Sequence, residues 1–187
     1  MDLSTAIPAC ERSDRCVGRT ITTLINSHEN SRAEKRRERL TKILALHGIN
    51  HNMFGMRDPA QYGKTTLQEI YASIEALAAE LGVQVENYQT NDEGAICQKI
   101  HQAQLAGVDA IMINAGAWTH YSYGLRDALA IFTGPIVELH MANLHKREAF
   151  RQVSVIAEVT QGQIAGFGMH SYLLALRACL AMIEQRK

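Results

Sequence analysis

Short apolar runs alternate along the chain with longer segments in which apolar residues recur every three or four positions. The short runs are rich in Ile, Val, Leu and Ala and have the length of buried β-strands. They predict five strands, at residues 43–46, 83–88, 110–113, 135–139 and 164–165. The longer segments predict four helices, of which the last two span residues 123–132 and 170–183.

The first predicted helix has clear signals at both ends. Thr66 followed by Glu69 is typical of a helix start, because these two side chains can bond free backbone N–H groups of the first turn. Apolar residues at helical spacing then run from Leu67 to Leu81, and Gly82 is expected to end the helix.

The second predicted helix follows the second strand. Asn91 or Asp92 can cap its first turn, and Gly107 is expected to stop it. Its apolar positions are Ile96, Ile100 and Leu105.

The regular alternation of strand and helix predicts a parallel sheet covered by helices on both faces. With right-handed crossovers, the fold class is α/β, a flavodoxin-like doubly wound parallel sheet of five strands. Such sheets bind ligands beyond the carboxyl ends of their strands. We therefore expect a site where the loops after the first, third and fourth strands meet, at residues 47–63, 114–121 and 140–151.

Composition narrows the choice of partners and compartment. The chain has 187 residues, with 19 basic and 19 acidic side chains, so its formal net charge is zero. This balance argues against nucleic acid or a membrane surface as the main partner. No apolar run has the length of a membrane span, and no signal peptide is expected. The four cysteines are scattered along the sequence, which favours a reduced, cytoplasmic compartment. We interpret residues 1–42 as a charged, partly helical N-terminal extension and residues 43–187 as the catalytic domain.

The three loops hold most of the unusual chemistry, including five of the eight histidines. A metal site is not favoured, because His47 and His51 lie in a loop without a HExxH or CxxC pattern. There is no G-x-S-x-G nucleophile elbow and no glycine-rich dinucleotide turn. The remaining possibility is acid/base chemistry by Tyr and His, with Arg and Asn binding an oxygen-rich substrate.

A series of short motifs runs in order from about Ile43 to Arg177. The motifs are His47-Gly48-Ile49-Asn50-His51-Asn52, Gly55-x-Arg57-Asp58-Pro59, Tyr62-Gly63, Asn91-Asp92-Glu93-Gly94, Asn114-Ala115-Gly116-Ala117-x-Thr119-His120, Leu125-Arg126-Asp127-Ala128, Glu138-x-His140-x-Ala142-Asn143, Lys146-Arg147-Glu148-x-Phe150-Arg151 and Gly168-x-x-x-Tyr172-Leu173-Leu174-Ala175-Leu176-Arg177. Together they resemble the type II 3-dehydroquinate dehydratases. Each motif alone is weak, but the ordered series is highly specific.

The resemblance implies reversible dehydration of 3-dehydroquinate to 3-dehydroshikimate, with no metal or organic cofactor, in a homo-oligomer that is a dodecamer of trimers. Tyr62 would be the general base, with Arg57 as its activating partner. His140 would be the general acid, with Glu138 and Glu93 in supporting positions.

The resemblance also implies a set of substrate contacts. Asn114 would orient a water that bears on the enolate. Asp127 would reach the site of a neighbouring subunit. The substrate would be held by Asn50, Gly116, His120, Arg151 and the backbone of Ala142 and Asn143.

Several residues depart from the family pattern. His47, Ile49 and His51 stand where Asn, Pro and Leu are usual, Asp58 replaces Glu, and Ala142 replaces Ser. These departures leave open a second hypothesis, a catalytically weak or inactive relative that binds a quinate-like acid as a sensor or interaction protein. Aromatic biosynthesis through the shikimate pathway and quinate breakdown both stay open as the metabolic context.

Overall fold

The structure is a computed structural model that describes residues 39–56 and 63–186. Over this part of the chain, strands and α-helices alternate as the hydrophobic pattern predicts. The strands are β1 (Lys42–His47), β2 (Gln84–Gln89), β3 (Ala110–Asn114), β4 (Ile136–His140) and β5 (Gly162–Ala165). The helices are α1 (Leu67–Leu81), α2 (Glu93–Leu105), α3 (Tyr123–Ile131) and α4 (His170–Glu184). The predicted boundaries differ from these by at most two residues.

The sheet has the strand order β2-β1-β3-β4-β5, and every neighbouring pair is parallel. This is the order of flavodoxin-like sheets, so the predicted fold class is confirmed. In this register His47 lies beside Asn114 at the carboxyl ends of β1 and β3. On the other side of the sheet centre, Glu138 of β4 lies beside Gln163 of β5.

Two hydrophobic cores cover the two faces of the sheet. One lies against α1 and α4, and the other against α2 and α3. Alternate side chains of a strand point to opposite faces, and β1 accordingly sends Ile43 and Ala45 into the first core and Leu44 and Leu46 into the second. This double burial explains why the central strands read as continuous apolar runs.

The predicted ends of α1 are confirmed. Thr66 and Glu69 form a reciprocal capping box, and Gly82 ends the helix in the left-handed conformation, with φ 67°. A residue with a side chain would be strained at that φ, so glycine suits this turn.

In the second helix, α2, the predicted cap is confirmed, but one of the predicted core positions is not buried. Asp92, rather than Asn91, caps α2 by accepting a hydrogen bond from the Ala95 N–H. Ile96 and Ile100 are buried, but Leu105 is 88% exposed. Five residues rotate a helix by about 140° beyond a full turn, which carries Leu105 away from the core. The prediction that Leu105 belongs to the apolar face of this helix is therefore wrong.

Candidate active site

A pocket of about 140 Å³ lies where the loops after β1, β3 and β4 meet, as predicted. The fold produces it because parallel strands bring their carboxyl ends to one edge of the sheet. Seven of the predicted site residues line it, namely Asn50, Asn114, Gly116, His120, His140, Ala142 and Arg151.

The carboxyl end of β4 supplies a buried carboxylate–imidazole pair. Glu138 and His140 are two residues apart and so project from the same face of the strand. The Glu138 Oε1 and His140 Nε2 atoms are 2.7 Å apart, and both side chains are at most 6% exposed. His140 lines the pocket, while Glu138 lies behind it.

Two further donors complete the surroundings of the Glu138 carboxylate. The Ser154 hydroxyl donates to it at 2.9–3.0 Å, and the Gln163 amide donates at 2.7 Å. Burial raises the pKa of Glu138, but the hydrogen bond and charge of His140, together with these donors, outweigh burial and hold the pKa below its ordinary value. Glu138 is therefore a fixed negative charge that can stabilise a protonated His140.

Asn114 ends β3 and reaches the pocket from the other face of the sheet. Its Nδ2 donates to the Tyr172 hydroxyl at 2.9 Å, and its Oδ1 accepts from the Gly116 N–H at 3.4 Å. One N–H of the amide is left for the pocket, together with accepting capacity on the oxygen. This suits the stabilisation of developing negative charge or the orientation of a water.

His120 follows the 3-10 turn after β3. Its Nδ1 is 2.7 Å from the Val153 carbonyl, which can only accept, so Nδ1 carries the proton. Burial lowers the pKa of His120, and the charges of His140 and Arg151 act in the same direction. The Val153 hydrogen bond opposes this lowering. With the proton on Nδ1, Nε2 of the neutral ring can accept a hydrogen bond from a substrate hydroxyl.

Two guanidinium groups stand at the pocket. Arg147 and Arg151 both donate through Nε to Glu148 Oε2, at 3.2 and 3.0 Å. The described residues that line the pocket include both arginines and no Asp or Glu, and the two guanidinium groups share a single carboxylate, Glu148, from outside the pocket. This charge pattern favours an anionic ligand.

The loop after β1 crosses closely over the loop after β3. Asn50 has the left-handed φ of 66°, and its backbone N–H donates to Asn91 Oδ1 at 2.8 Å. At Gly116, which also has a positive φ, a Cβ would lie 3.0 Å from the Ile49 carbonyl oxygen. Glycine at 116 therefore permits the backbone contact that closes one wall of the pocket.

The Ala142–Asn143 segment borders a second, larger groove of about 630 Å³. Asn143 lines this groove and not the pocket, and its Oδ1 accepts from the His145 N–H at 3.1 Å. The side chain of Asn143 is thus used within its own loop, as is its carbonyl oxygen, which accepts from the Lys146 N–H at 3.1 Å.

Among the described residues, Asp127 and Glu93 were named in the sequence analysis but do not line this pocket. Asp127 is exposed on α3 and pairs with Arg126 at 3.1 Å. Glu93 accepts a hydrogen bond from Ser122 at the start of α3 instead of contacting His140. Arg57 and Tyr62 lie outside the described residues, and their roles stay predictions.

Several functional contacts were missed by the sequence analysis. Arg147 lines the pocket. It belongs to the polar loop 140–151 that was expected to face the site, so its position in the sequence could have identified it as a site residue. The partners Ser154 and Gln163 carry no comparable signal, because they become neighbours of the site only through the fold. Tyr172 stands in the last motif of the family resemblance, but the sequence analysis assigns it no role.

Neither a cluster of metal-binding side chains nor a membrane-spanning helix occurs in the part of the chain that the structure describes. Within residues 39–56 and 63–186, no three His, Cys, Asp or Glu side chains stand close enough to hold a metal ion. In the described part of the chain, no helix has the length and apolar character needed to cross a membrane.

Comparison with known proteins gives a consistent result. The family model for dehydroquinase class II matches residues 41–180. A 3-dehydroquinate dehydratase of Leptothrix cholodnii is 59% identical over 145 residues, which cover 78% of this chain and 97% of that protein. A second, from Syntrophotalea carbinolica, is 60% identical over the same length and is covered to 98%. The crystal structure of a type II dehydroquinase from Butyrivibrio crossotus superposes with a TM-score of 0.74 at 40% identity, covering 75% of this chain and 98% of that one.

Proposed function

The chain belongs to the class II dehydroquinase family, and we propose that it catalyses the reversible dehydration of 3-dehydroquinate to 3-dehydroshikimate. This makes it a hydro-lyase. The observation that carries the proposal is the buried Glu138–His140 pair. Its histidine lines a pocket that contains two arginines, at the carboxyl ends of the strands. Such a pair can donate a proton, and such a pocket suits a carboxylate substrate.

The reaction is a β-elimination from a hydroxy ketone. A base removes the proton next to the carbonyl, an enolate forms, and an acid protonates the hydroxyl group that leaves as water. His140 is suited to the second proton transfer, because it lines the pocket and its Nε2 is held 2.7 Å from the Glu138 carboxylate. Asn114 is suited to the enolate, either directly or through a water that its amide holds.

The proposal assigns the first proton transfer to Tyr62, on the strength of the family resemblance. A phenol has an unperturbed pKa near ~10, so only about one molecule in a thousand is ionised at pH 7. A nearby cation is needed to raise that fraction. Arg57 is assigned this role because it precedes Tyr62 by five residues in the loop segment 47–63.

Substrate binding is assigned to the remaining residues of the pocket. Arg151 supplies positive charge at the rim, His120 supplies an acceptor for a hydroxyl, and Asn50 supplies a polar side chain on the wall after β1. The backbone of Ala142 and Asn143 borders the adjoining groove and offers N–H groups for the substrate carboxylate.

The resemblance extends the proposal to quaternary structure and compartment. A dodecamer of trimers in the cytoplasm is expected, in which Asp127 of one subunit reaches the site of another. The exposed position of Asp127 on α3 is compatible with that role. Size-exclusion chromatography with light scattering measures the oligomer directly.

Turnover of 3-dehydroquinate by the purified protein tests the proposed function. The product is a conjugated enone that absorbs in the ultraviolet, whereas the substrate does not, so formation of product is followed continuously. Absence of turnover at high enzyme concentration would contradict the assignment, and binding without turnover would instead favour the sensor hypothesis.

Two variants test the assigned roles. Tyr62→Phe should lose at least ~100-fold in kcat while keeping fold and assembly, because only the base is removed. His140→Ala should slow loss of the hydroxyl more than abstraction of the α-proton, so exchange of that proton with solvent survives when dehydration does not. Equal loss of exchange and dehydration would argue that His140 binds substrate or supports structure.

A further inference from the structure

We propose that Tyr172, braced by His47, is a positioning residue that holds the Asn114 amide in the orientation used for catalysis. The inference rests on the proposed function, because it concerns the group that faces the enolate. It is carried by the contacts of three buried side chains at the carboxyl ends of β1 and β3.

The Asn114 amide has two anchors. Its Nδ2 donates to the Tyr172 hydroxyl at 2.9 Å, and its Oδ1 accepts from the Gly116 N–H at 3.4 Å. The two ends of an amide have nearly the same shape but opposite hydrogen-bonding character, so an unanchored amide can present either end to a ligand. The shorter of the two anchors is the phenol.

Tyr172 is itself firmly placed. It projects from α4 into the core between that helix and the sheet, and its side chain is 1% exposed. Its ring stacks on the His47 ring, with centroids 5.3 Å apart and planes at 25°. Because His47 lies beside Asn114 in the sheet, the Tyr172 ring spans the ends of both strands.

His47 is held in turn by contacts on its other sides. Its ring is 4.9 Å from the Tyr71 ring, and its Nε2 is 3.3 Å from Asn87 Oδ1. Burial raises the pKa of Tyr172 far above that of an ordinary tyrosine, so its phenol stays protonated and does not compete with Tyr62 as a base.

Packing alone does not account for a tyrosine at this position. A phenylalanine would fill the same volume in the core, and burying a hydroxyl costs free energy unless it is hydrogen-bonded. The phenol of Tyr172 meets that requirement at Asn114, a pocket residue.

The test compares Tyr172→Phe with the unchanged protein. We expect kcat to fall about ten-fold and KM to change less than two-fold, since one anchor of an enolate-facing group is lost and substrate contacts remain. Tyr88→Phe removes a phenol hydroxyl from the same sheet outside the pocket, and it should keep full activity. Circular dichroism and size-exclusion chromatography confirm that each variant is folded.

A double variant tests whether the loss of kcat in Tyr172→Phe occurs through Asn114. If Tyr172 acts through Asn114, Asn114→Ala and the double variant Asn114→Ala/Tyr172→Phe should have the same kcat. Multiplied losses, or an unchanged kcat in Tyr172→Phe, would overturn the inference.

A readout without turnover separates this inference from the proposed function. In a crystal structure of Tyr172→Phe, the Asn114 amide should be rotated from its orientation in the unchanged protein. An unmoved amide would overturn the positioning role, whether or not the protein dehydrates 3-dehydroquinate.

Discussion

His47 should make the protein less stable in mild acid. The side chain is fully buried between Tyr71 and Tyr172. Burial lowers its pKa from 6.5 to about 4, against a smaller opposing effect of the Asn87 hydrogen bond. A protonated ring would need two acceptors, and Nδ1 has no hydrogen-bond partner among the residues that the structure describes.

The sign and size of the effect follow from linkage. The unfolded chain binds the proton near pH 6.5, whereas the folded chain resists it until about pH 4. The contribution of neutral His47 is therefore fully present above pH 6.5 and is lost as the pH falls toward 4. With these two values the loss is about 2 kcal/mol at pH 5 and about 3 kcal/mol at pH 4.

The assay is urea unfolding at pH 7.5 and pH 5.0, at one protomer concentration, for the unchanged protein and for His47→Phe. Phenylalanine keeps a ring in the site but does not titrate. Between the two pH values the unchanged protein should lose about 2 kcal/mol more of its unfolding free energy than the variant does. His101→Gln, at an exposed position of α2, is the matched control and should leave the difference in place. Equal pH dependence in the unchanged protein and His47→Phe would refute the reasoning.

Three further predictions concern the site and the N-terminal segment. Glu138→Gln removes the buried charge beside His140, so kcat should fall at least ten-fold with little change in KM; steady-state rates check this, and an unchanged kcat would contradict the ion-pair role. Ala142→Ser adds a hydroxyl near the expected carboxylate and should lower KM about ten-fold at constant kcat. If His51 has taken over that contact, Ala142→Ser will gain little and His51→Leu will raise KM, and if neither variant moves KM the substrate assignment is contradicted. Deletion of residues 1–40, which precede the family match, should preserve turnover and the oligomer; dissociation on size-exclusion chromatography would show that this segment takes part in assembly.

Much of the fold could be predicted because its signals are local. The pair Thr66 and Glu69 and the glycine at 82 act within one helical turn, and their predicted roles are confirmed. The central strands could be found because burial on both faces requires apolar residues at every position. The prediction for Leu105 is wrong because a spacing of five residues from Ile100 leaves the buried face of the helix.

The location of the site could also be predicted, but the partners that set its chemistry could not. A flavodoxin-like order fixes which loops meet, and hence brings Asn114 and His140 to one pocket. The neighbours of these residues come from distant segments: Tyr172 is 58 residues from Asn114, and Gln163 is 25 residues from Glu138. Such contacts depend on how helices and strands pack, and no local pattern records them.

The alternation of side chains along a strand explains how one pocket holds both the proposed acid, His140, and the proposed group for the enolate, Asn114. Glu138 and His140 occupy the positions of β4 that face α2 and α3, whereas Asn114 continues the positions of β3 that face α1 and α4. His140 and Asn114 therefore reach the pocket from opposite faces of one sheet, and each lies next to a different hydrophobic core. The Glu138 carboxylate is bonded by three side chains, and the Asn114 amide by a phenol and a backbone N–H, before any ligand enters. Because both groups are already oriented, neither must reorganise as charge develops, and this preorganisation is what makes electrostatic stabilisation effective in a reaction through an enolate.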